Sequence, residues 1–535
     1  MAESIASNKS TNVSLAHPGD GETNQTGSAA GRGGIAVAIA KGYFLVIGLL
    51  QQVLLTRVLG TASYGGLSTA LSISAVIYNP IVTTSIQGVS RTVARSGEAQ
   101  RAFAVRRVLT IHAAIALPLA LLFIGCAGPL VAWIHAPHLA LPVRVLGAVL
   151  FFYSLYAPLI GVMNGSRRFV WQAGFDMAYA TLRTLLMVGG AYWFTHTGSS
   201  GVEGASAGFA LAAGLVFIAA SALIGTGQSG HAGPTLRSYL AFIAPVFAGQ
   251  ILLNLLQQAD LTLLRYFAAS AAIEARLPAD AADSLVGAYR ATQLFCFLPY
   301  QLLLSITFVL FPLLARAHKD ERMQDVRLYV MTGVRLALVI AGVMVAIISG
   351  LAGPLLRLVF PTDIALHATD AMQLLALGFG AFALFGILTT VLTSLKAERA
   401  SAATTAVAFA LVAILGAGLL KNQGFGAHLL MRTAVATSVG LLLATLIAAV
   451  LVRRRAGGVV AFPTLLRTLM AAAATVGLGR CWSPEGKVMT IAAAAALAAA
   501  NITILIATRE LTKRDWQQIL GLFRRHQRNA PMPPR

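Results

Sequence analysis

Apolar stretches of roughly twenty residues recur along the whole chain, and short polar or basic turns separate them. Each stretch is long enough to cross a bilayer as a helix. Spans are predicted near 34–56, 65–90, 108–134, 140–163, 171–194, 202–224, 238–266, 285–312, 329–358, 369–394, 401–420, 427–452, 464–480 and 488–508. A tight turn over 59–65 is expected between the first two. The pattern is that of an all-α polytopic membrane protein with about 14 transmembrane helices. Residues 1–32 carry no apolar run and read as a disordered tail, with no signal peptide. Residues 225–237 form a Gly/Ser/His/Pro linker that divides the chain.

The two parts echo each other. Leu49-Leu50-Gln51-Gln52 in the first span matches Leu255-Leu256-Gln257-Gln258 in the seventh. Ala127-Gly128-Pro129-Leu130 matches Ala352-Gly353-Pro354-Leu355, and Val93-Ala94-Arg95 matches Leu314-Ala315-Arg316. Six spans therefore map onto six in the same orientation, as in a parallel repeat about an axis along the membrane normal. This gives an N-terminal lobe over 33–224, a C-terminal lobe over 238–452, an extra helix pair over 463–508 and a basic tail over 509–535. In that tail Trp516, Ile519, Leu520 and Phe523 share one helical face among Lys513, Arg514, Arg524, Arg525 and Arg528. Such a helix suits an anionic leaflet, or simply extends the charge signal of the last span.

Composition narrows the class. Of 535 residues 57% are hydrophobic and only 11% charged, against about 25% charged in a soluble domain. The net charge of +21 does not signal nucleic acid, because the basic residues sit between spans. They follow the second, fourth, eighth, tenth and twelfth spans, as in Arg91/Arg95/Arg101, Arg167-Arg168, Arg316/Lys319, Lys396/Arg399 and Arg453-Arg454-Arg455. The positive-inside rule then places both termini in the cytoplasm. Cys126, Cys296 and Cys481 have no metal-ligand spacing and read as small apolar residues. No P-loop, His-Glu-x-x-His or dinucleotide turn is present, so no catalytic residue, metal or cofactor is expected.

The candidate chemistry lies in polar faces inside the membrane. Gln250, Asn254, Gln257 and Gln258 fall at i, i+4, i+7 and i+8, with Asp260 and Arg265 near the same stripe. The first span aligns Lys41, Gln52 and Thr56, and the second Ser68, Ser72, Asn79 and Thr83. The eighth aligns Arg290, Gln293 and Gln301. Lipid satisfies neither amides nor charges, so these faces must meet other helices or a water-filled cavity. A two-fold arrangement of the first two spans of each lobe encloses one central cavity. The fifth span adds Asp176 and Arg183, seven residues apart on one face. Arg183 sits near mid-span, where a cation costs at least ~2.5–3.5 kcal/mol on the insertion scale. It is either a cavity cation for an anionic substrate or one half of an ion pair. The two are about 10 Å apart along the helix, which argues against direct pairing. Lys41 reads equally as a cavity cation and as a snorkelling anchor. Asp176 and Asp260 are candidates for ion coupling.

The stretch 54–77, with Leu59-Gly60 and Tyr64-Gly65 at its centre, resembles the first hairpin of Wzx-type polysaccharide flippases. Their superfamily also holds MurJ-type lipid II flippases and MATE-type antiporters. The resemblance covers twelve spans, and the extra pair looks like the 14-span members. It implies two lobes rocking around a central cavity in a bacterial inner membrane. The substrate it implies is a polyprenyl-diphosphate-linked oligosaccharide, with membrane lipids and the pathway's polymerase and glycosyltransferases as partners. Lys41, Gln52, Asn79, Asp176, Arg183, Gln250, Asn254, Gln257, Gln258, Arg290 and Gln293 are the expected cavity residues. Exchange of small cations is the rival reading, and it wants more cavity carboxylates than Asp176 and Asp260. A lipid II substrate is a further alternative, although the first span offers only Lys41 and Arg57 as cations.

Overall fold

The computed structural model describes residues 20–225, 227–228, 234–278, 280–482 and 484–511. It is built of fifteen α-helices and one short 3-10 turn, and no strand occurs among the described residues. Helix α1 runs from Asp20 to Arg95 and contains the first two spans. Its start corrects part of the expected disordered tail, since 20–32 are helical. Extending a nucleated helix adds one hydrogen bond for each residue fixed. Residues 1–19 and the amphipathic face at Trp516 lie outside the described residues.

The expected turn over 59–65 shrinks to one residue. Only Gly60 leaves helical geometry, with φ 74 and ψ 171, and 61–65 are already helical. The chain folds back there: the Tyr64 hydroxyl donates to Gln52 Oε1 at 2.9 Å. Twelve residues of straight helix would hold those positions about 18 Å apart. Positive φ with extended ψ is a region essentially reserved for glycine. Gly60→Ala is therefore expected to lower stability by about 1–3 kcal/mol. Gly125→Ala, in a helix with nothing near its Cβ position, should be neutral or slightly stabilising. Thermal melting of the two purified variants checks the contrast, and equal melting points would remove Gly60 from this role.

The N-terminal lobe continues with α2 (Glu98–Trp133), α3 (Ala140–Gly165), α4 (Phe169–His196) and α5 (Gly201–Ile224). The C-terminal lobe holds α6 (Leu236–Glu274), α7 (Ala281–Cys296), α8 (Leu298–Lys319) and α9 (Met323–Gly350). It is completed by α10 (Ala352–Val359), α11 (Thr362–Ser394), α12 (Glu398–Leu420) and α13 (His428–Ala456). The last pair is α14 (Phe462–Arg480) and α15 (Lys487–Ala507). Eleven of the described helices are long and apolar enough to cross a membrane. Reading α1 as two passes, and adding α4 and the α7–α8 pair, gives fourteen. The helices left out by hydropathy include α4, which carries Asp176 and Arg183.

Each lobe has its own core. One cluster joins Leu55, Tyr64, Leu146, Tyr153 and Phe209, the other Leu264, Tyr289, Leu375, Phe382 and Leu441. The lobes meet where α1 packs on α6 and α7. The pair α14–α15 packs on α9, with Gly350 and Gly479 backbone to backbone. Beyond α15, buried Glu510 accepts from Arg335 Nε at 2.8 Å and from Thr464 at 3.0 Å, and lies 3.6 Å from Arg467. That clasp ties the end of the pair to both α9 and α14. The repeated Ala-Gly-Pro-Leu motif takes two forms: within α2 it stays helical, whereas the second copy opens α10 after a break at Leu351. In the second copy Pro354 falls in the first turn of α10, where proline is tolerated, while in the first Pro129 lies inside α2.

Candidate functional site

Between the lobes lies a cavity of about 260 Å³, walled by α1, α4, α6, α7 and α8. Its polar lining is Gln52, Arg183, Gln257, Gln258, Arg290, Gln293 and Gln301, and Phe44 and Phe297 stand among the apolar walls. Two arginines line it, and no carboxylate does so among the described residues.

Arg183 is held by neutral groups. Its Nε donates to Gln51 Oε1 at 2.9 Å and its Nη1 to the Tyr179 hydroxyl at 3.4 Å. The guanidinium carbon lies 5.5 Å from the ring centres of Phe44 and Tyr179 and 5.6 Å from that of Phe209. Cation–π contacts of this kind hold a desolvated cation without neutralising it. Thr184, whose hydroxyl donates to the Ala180 carbonyl at 2.9 Å, lies 3.3 Å from the same Gln51 oxygen. Opposite, Arg290 donates through Nη1 to Gln293 Oε1 at 3.0 Å. Gln293 Nε2 in turn donates to both oxygens of Asp260, each at 3.0 Å.

Several predicted site residues stand elsewhere. Asp260 is buried one layer behind Gln293, where it also accepts from the Tyr289 hydroxyl at 2.9 Å. Its donors make it an anchor for the wall, off the lining. Asp176 lies 3.6 Å from Lys41 Nζ, and the lysine is 63% exposed. Asn79 donates to Asn254 Oδ1 at 3.0 Å across the lobe boundary, so these two amides are spent on each other. Asn254 also donates to the Gln250 carbonyl at 2.9 Å. The Gln250–Gln258 stripe therefore divides: its later turn lines the cavity and its earlier turns join the lobes. Lys41, Asn79, Asp176, Gln250 and Asn254 stand outside the lining of this cavity. Gln51, rather than Gln52 alone, was the residue to find. The Gln-Gln echo marked it, but its face did not.

The end of the molecule near Gly60 is closed. Asp283 on α7 receives His138 Nε2 at 2.8 Å on one oxygen, while Arg265 Nε lies 3.3 Å from the other. Arg265, fully buried, also points Nη2 at the His135 carbonyl, 3.4 Å away in the other lobe. Thr61 donates to Asp363 at 2.8 Å. A Cβ on Gly65 would lie 1.8 Å from the Asp283 carbonyl oxygen, so the two backbones touch there. At the other end α6 is joined to the N-terminal lobe by His112 and Tyr239, 2.8 Å apart, and by Arg91 over Phe242 at 3.8 Å.

Two six-span lobes around a central cavity define the class: a two-lobed polytopic helical membrane protein. No family model matches the sequence, and no curated protein does. Solved structures do. The lipid II flippase MurJ in an inward closed conformation superposes with a TM-score of 0.72 at 13% identity, covering 89% of this chain and 99% of that one. An inward-facing multidrug resistance MATE family transporter of the MOP superfamily gives 0.60 at 16% identity, covering 77% and 94%. A MOP superfamily transporter from Pyrococcus furiosus, described as having a binding pocket of reversed polarity, gives 0.56 at 16%, covering 79% and 95%. The chain has the fold these proteins share.

Proposed function

We propose that the protein is a flippase for a polyprenyl-diphosphate-linked oligosaccharide. It works by alternating access, from the cytoplasmic to the outer leaflet of a bacterial inner membrane, with both termini cytoplasmic. The observation that carries this reading is the charge of the central cavity: two arginines, five glutamines and no carboxylate line it among the described residues. A diphosphate matches fixed guanidinium groups, which offer planar, directed donors. Glutamine amides both donate and accept, as sugar hydroxyls require. A small organic cation would be repelled. The MurJ-like fold keeps a lipid II substrate as the second reading, since it too carries a diphosphate.

The test is reconstitution in liposomes with a fluorescent polyprenyl-diphosphate oligosaccharide, read by a membrane-impermeant glycosidase. The expected result is protein-dependent loss of the protected inner pool. Ion-driven efflux of cationic dyes, with no glycolipid movement, would instead make it an antiporter. Lipid II supplied in parallel decides between the two diphosphate substrates.

A further inference from the structure

A second cavity of about 410 Å³ lies between the lobes, bounded by the second arm of α1, α2, α6 and α12. Its walls are almost wholly apolar, among them Ile77, Phe123, Cys126, Leu255, Thr262 and Ala413. All of these lie within helices long and apolar enough to cross a membrane. Trp133, whose ring centre lies 5.8 Å from that of Tyr266, also lines the crevice. Leu122 is 63% exposed and Trp133 60%, so the crevice is open along α2 to whatever surrounds the protein, which in a membrane is lipid chain.

Gln258 is the junction. It lines both this crevice and the central cavity. The residue is only 8% exposed, and its Oε1 has no hydrogen-bond partner. A buried amide oxygen left without a donor is destabilising. A sugar hydroxyl of a ligand seated in the central cavity supplies that donor, which neither an ionised diphosphate nor an isoprene unit can do.

We propose that the crevice receives the head-proximal isoprene units of the lipid-linked substrate, while the diphosphate and glycan occupy the central cavity. This rests on the function proposed above and gives the chain of that substrate its place. Burial alone does not select the chain, because lipid tails are as apolar as leucine. Selection comes from tethering: a chain attached to a headgroup already held in the central cavity reaches the crevice at a high effective concentration. An untethered phospholipid chain has no such advantage.

The experiment uses the full-length protein in liposomes with two diazirine probes, one on the proximal isoprenes of a polyprenyl-diphosphate oligosaccharide and one on a phospholipid acyl chain. Cross-linked peptides are mapped by mass spectrometry. The prenyl probe is expected to label α2, α6 and α12 around Cys126, Thr262 and Ala413, and unlabelled polyprenyl diphosphate should reduce that labelling at least ten-fold. Ala413→Trp, at a partly exposed wall position, should suppress the same labelling at unchanged melting temperature. Equal labelling by the phospholipid probe, or labelling by the prenyl probe only elsewhere, overturns the proposal. Polyprenyl monophosphate without a sugar separates the two readings. If it labels the crevice while no glycolipid is flipped, the chain site stands and the transport reading falls.

Discussion

Arg183→Ala is expected to weaken binding of the polyprenyl-diphosphate oligosaccharide about ten- to 150-fold and to stop flipping, with no loss of fold stability. The fold-change follows from one charge-assisted hydrogen bond, about 1.5–3 kcal/mol. Stability should hold because of how the residue is kept. Its partners are the Gln51 amide, the Tyr179 hydroxyl and three aromatic faces. The one carboxylate on its own helix face, Asp176, is paired with Lys41. A cation held mid-membrane by neutral groups retains most of its desolvation penalty, so its removal relieves the fold. A scaffolding arginine behaves the opposite way: its loss strands a buried counter-charge. Arg183→Lys keeps the charge but loses the planar fork, and should recover only part of the affinity. Ligand titration, the liposome assay and thermal melting on the same preparations read all three quantities. A lowered melting temperature with normal flipping would make Arg183 a structural residue.

The span pattern was legible because a bilayer imposes length and apolarity on every helix that crosses it, and no tertiary detail is needed to see that. The clearest exception, α4, is bounded by the basic turn at Arg167-Arg168 and by the uncharged turn Thr197-Gly198-Ser199-Ser200. Helix breaks were less legible. A turn rich in small residues over 59–65 became a single bend at Gly60, since Thr61-Ala62-Ser63 have no reason to leave helix once glycine has made the reversal. One Ala-Gly-Pro-Leu motif stayed helical and the other broke, a difference set by neighbours. In the site, Arg183, Gln257, Gln258, Arg290 and Gln293 were readable as polar groups that lipid could not satisfy. What periodicity could not say is which of them face a cavity and which face each other. Asn79 and Asn254 lie on polar faces as clear as that of Gln257, yet they bond across the lobe boundary. The aromatic surround of Arg183 was invisible because Phe44, Tyr179 and Phe209 come from three helices and look like ordinary core residues in each.

Asp283→Ala is expected to break the closed end near Gly60 and to arrest the cycle. This carboxylate carries three relations at once. It pairs with fully buried Arg265, it receives His138 from the other lobe, and its own backbone lies against Gly65. Removing one member of a buried ion pair costs about 3–5 kcal/mol, mostly through the charge left behind. Arg265 and Asp283 both belong to the C-terminal lobe, and closure brings His138 and the His135 carbonyl of the other lobe over them; an Arg265 stripped of Asp283 is buried by that closure and solvated on opening, so the cost falls on the closed arrangement. At about 1.4 kcal/mol per factor of ten, the balance between closed and open moves by a hundred-fold or more. A cysteine placed at Leu294 in the central cavity, with Cys126 and Cys481 replaced by alanine, should then react with an impermeant maleimide supplied from the Gly60 side. Flipping should fall because the protein no longer returns to the closed form. The pair Asp283→Leu with Arg265→Met supplies the internal check: with neither charge present the desolvation penalty disappears, so melting should recover and the double change should be milder than the single one. Unchanged maleimide reactivity in Asp283→Ala, beside a lowered melting temperature, would make the ion pair a folding element with no part in gating.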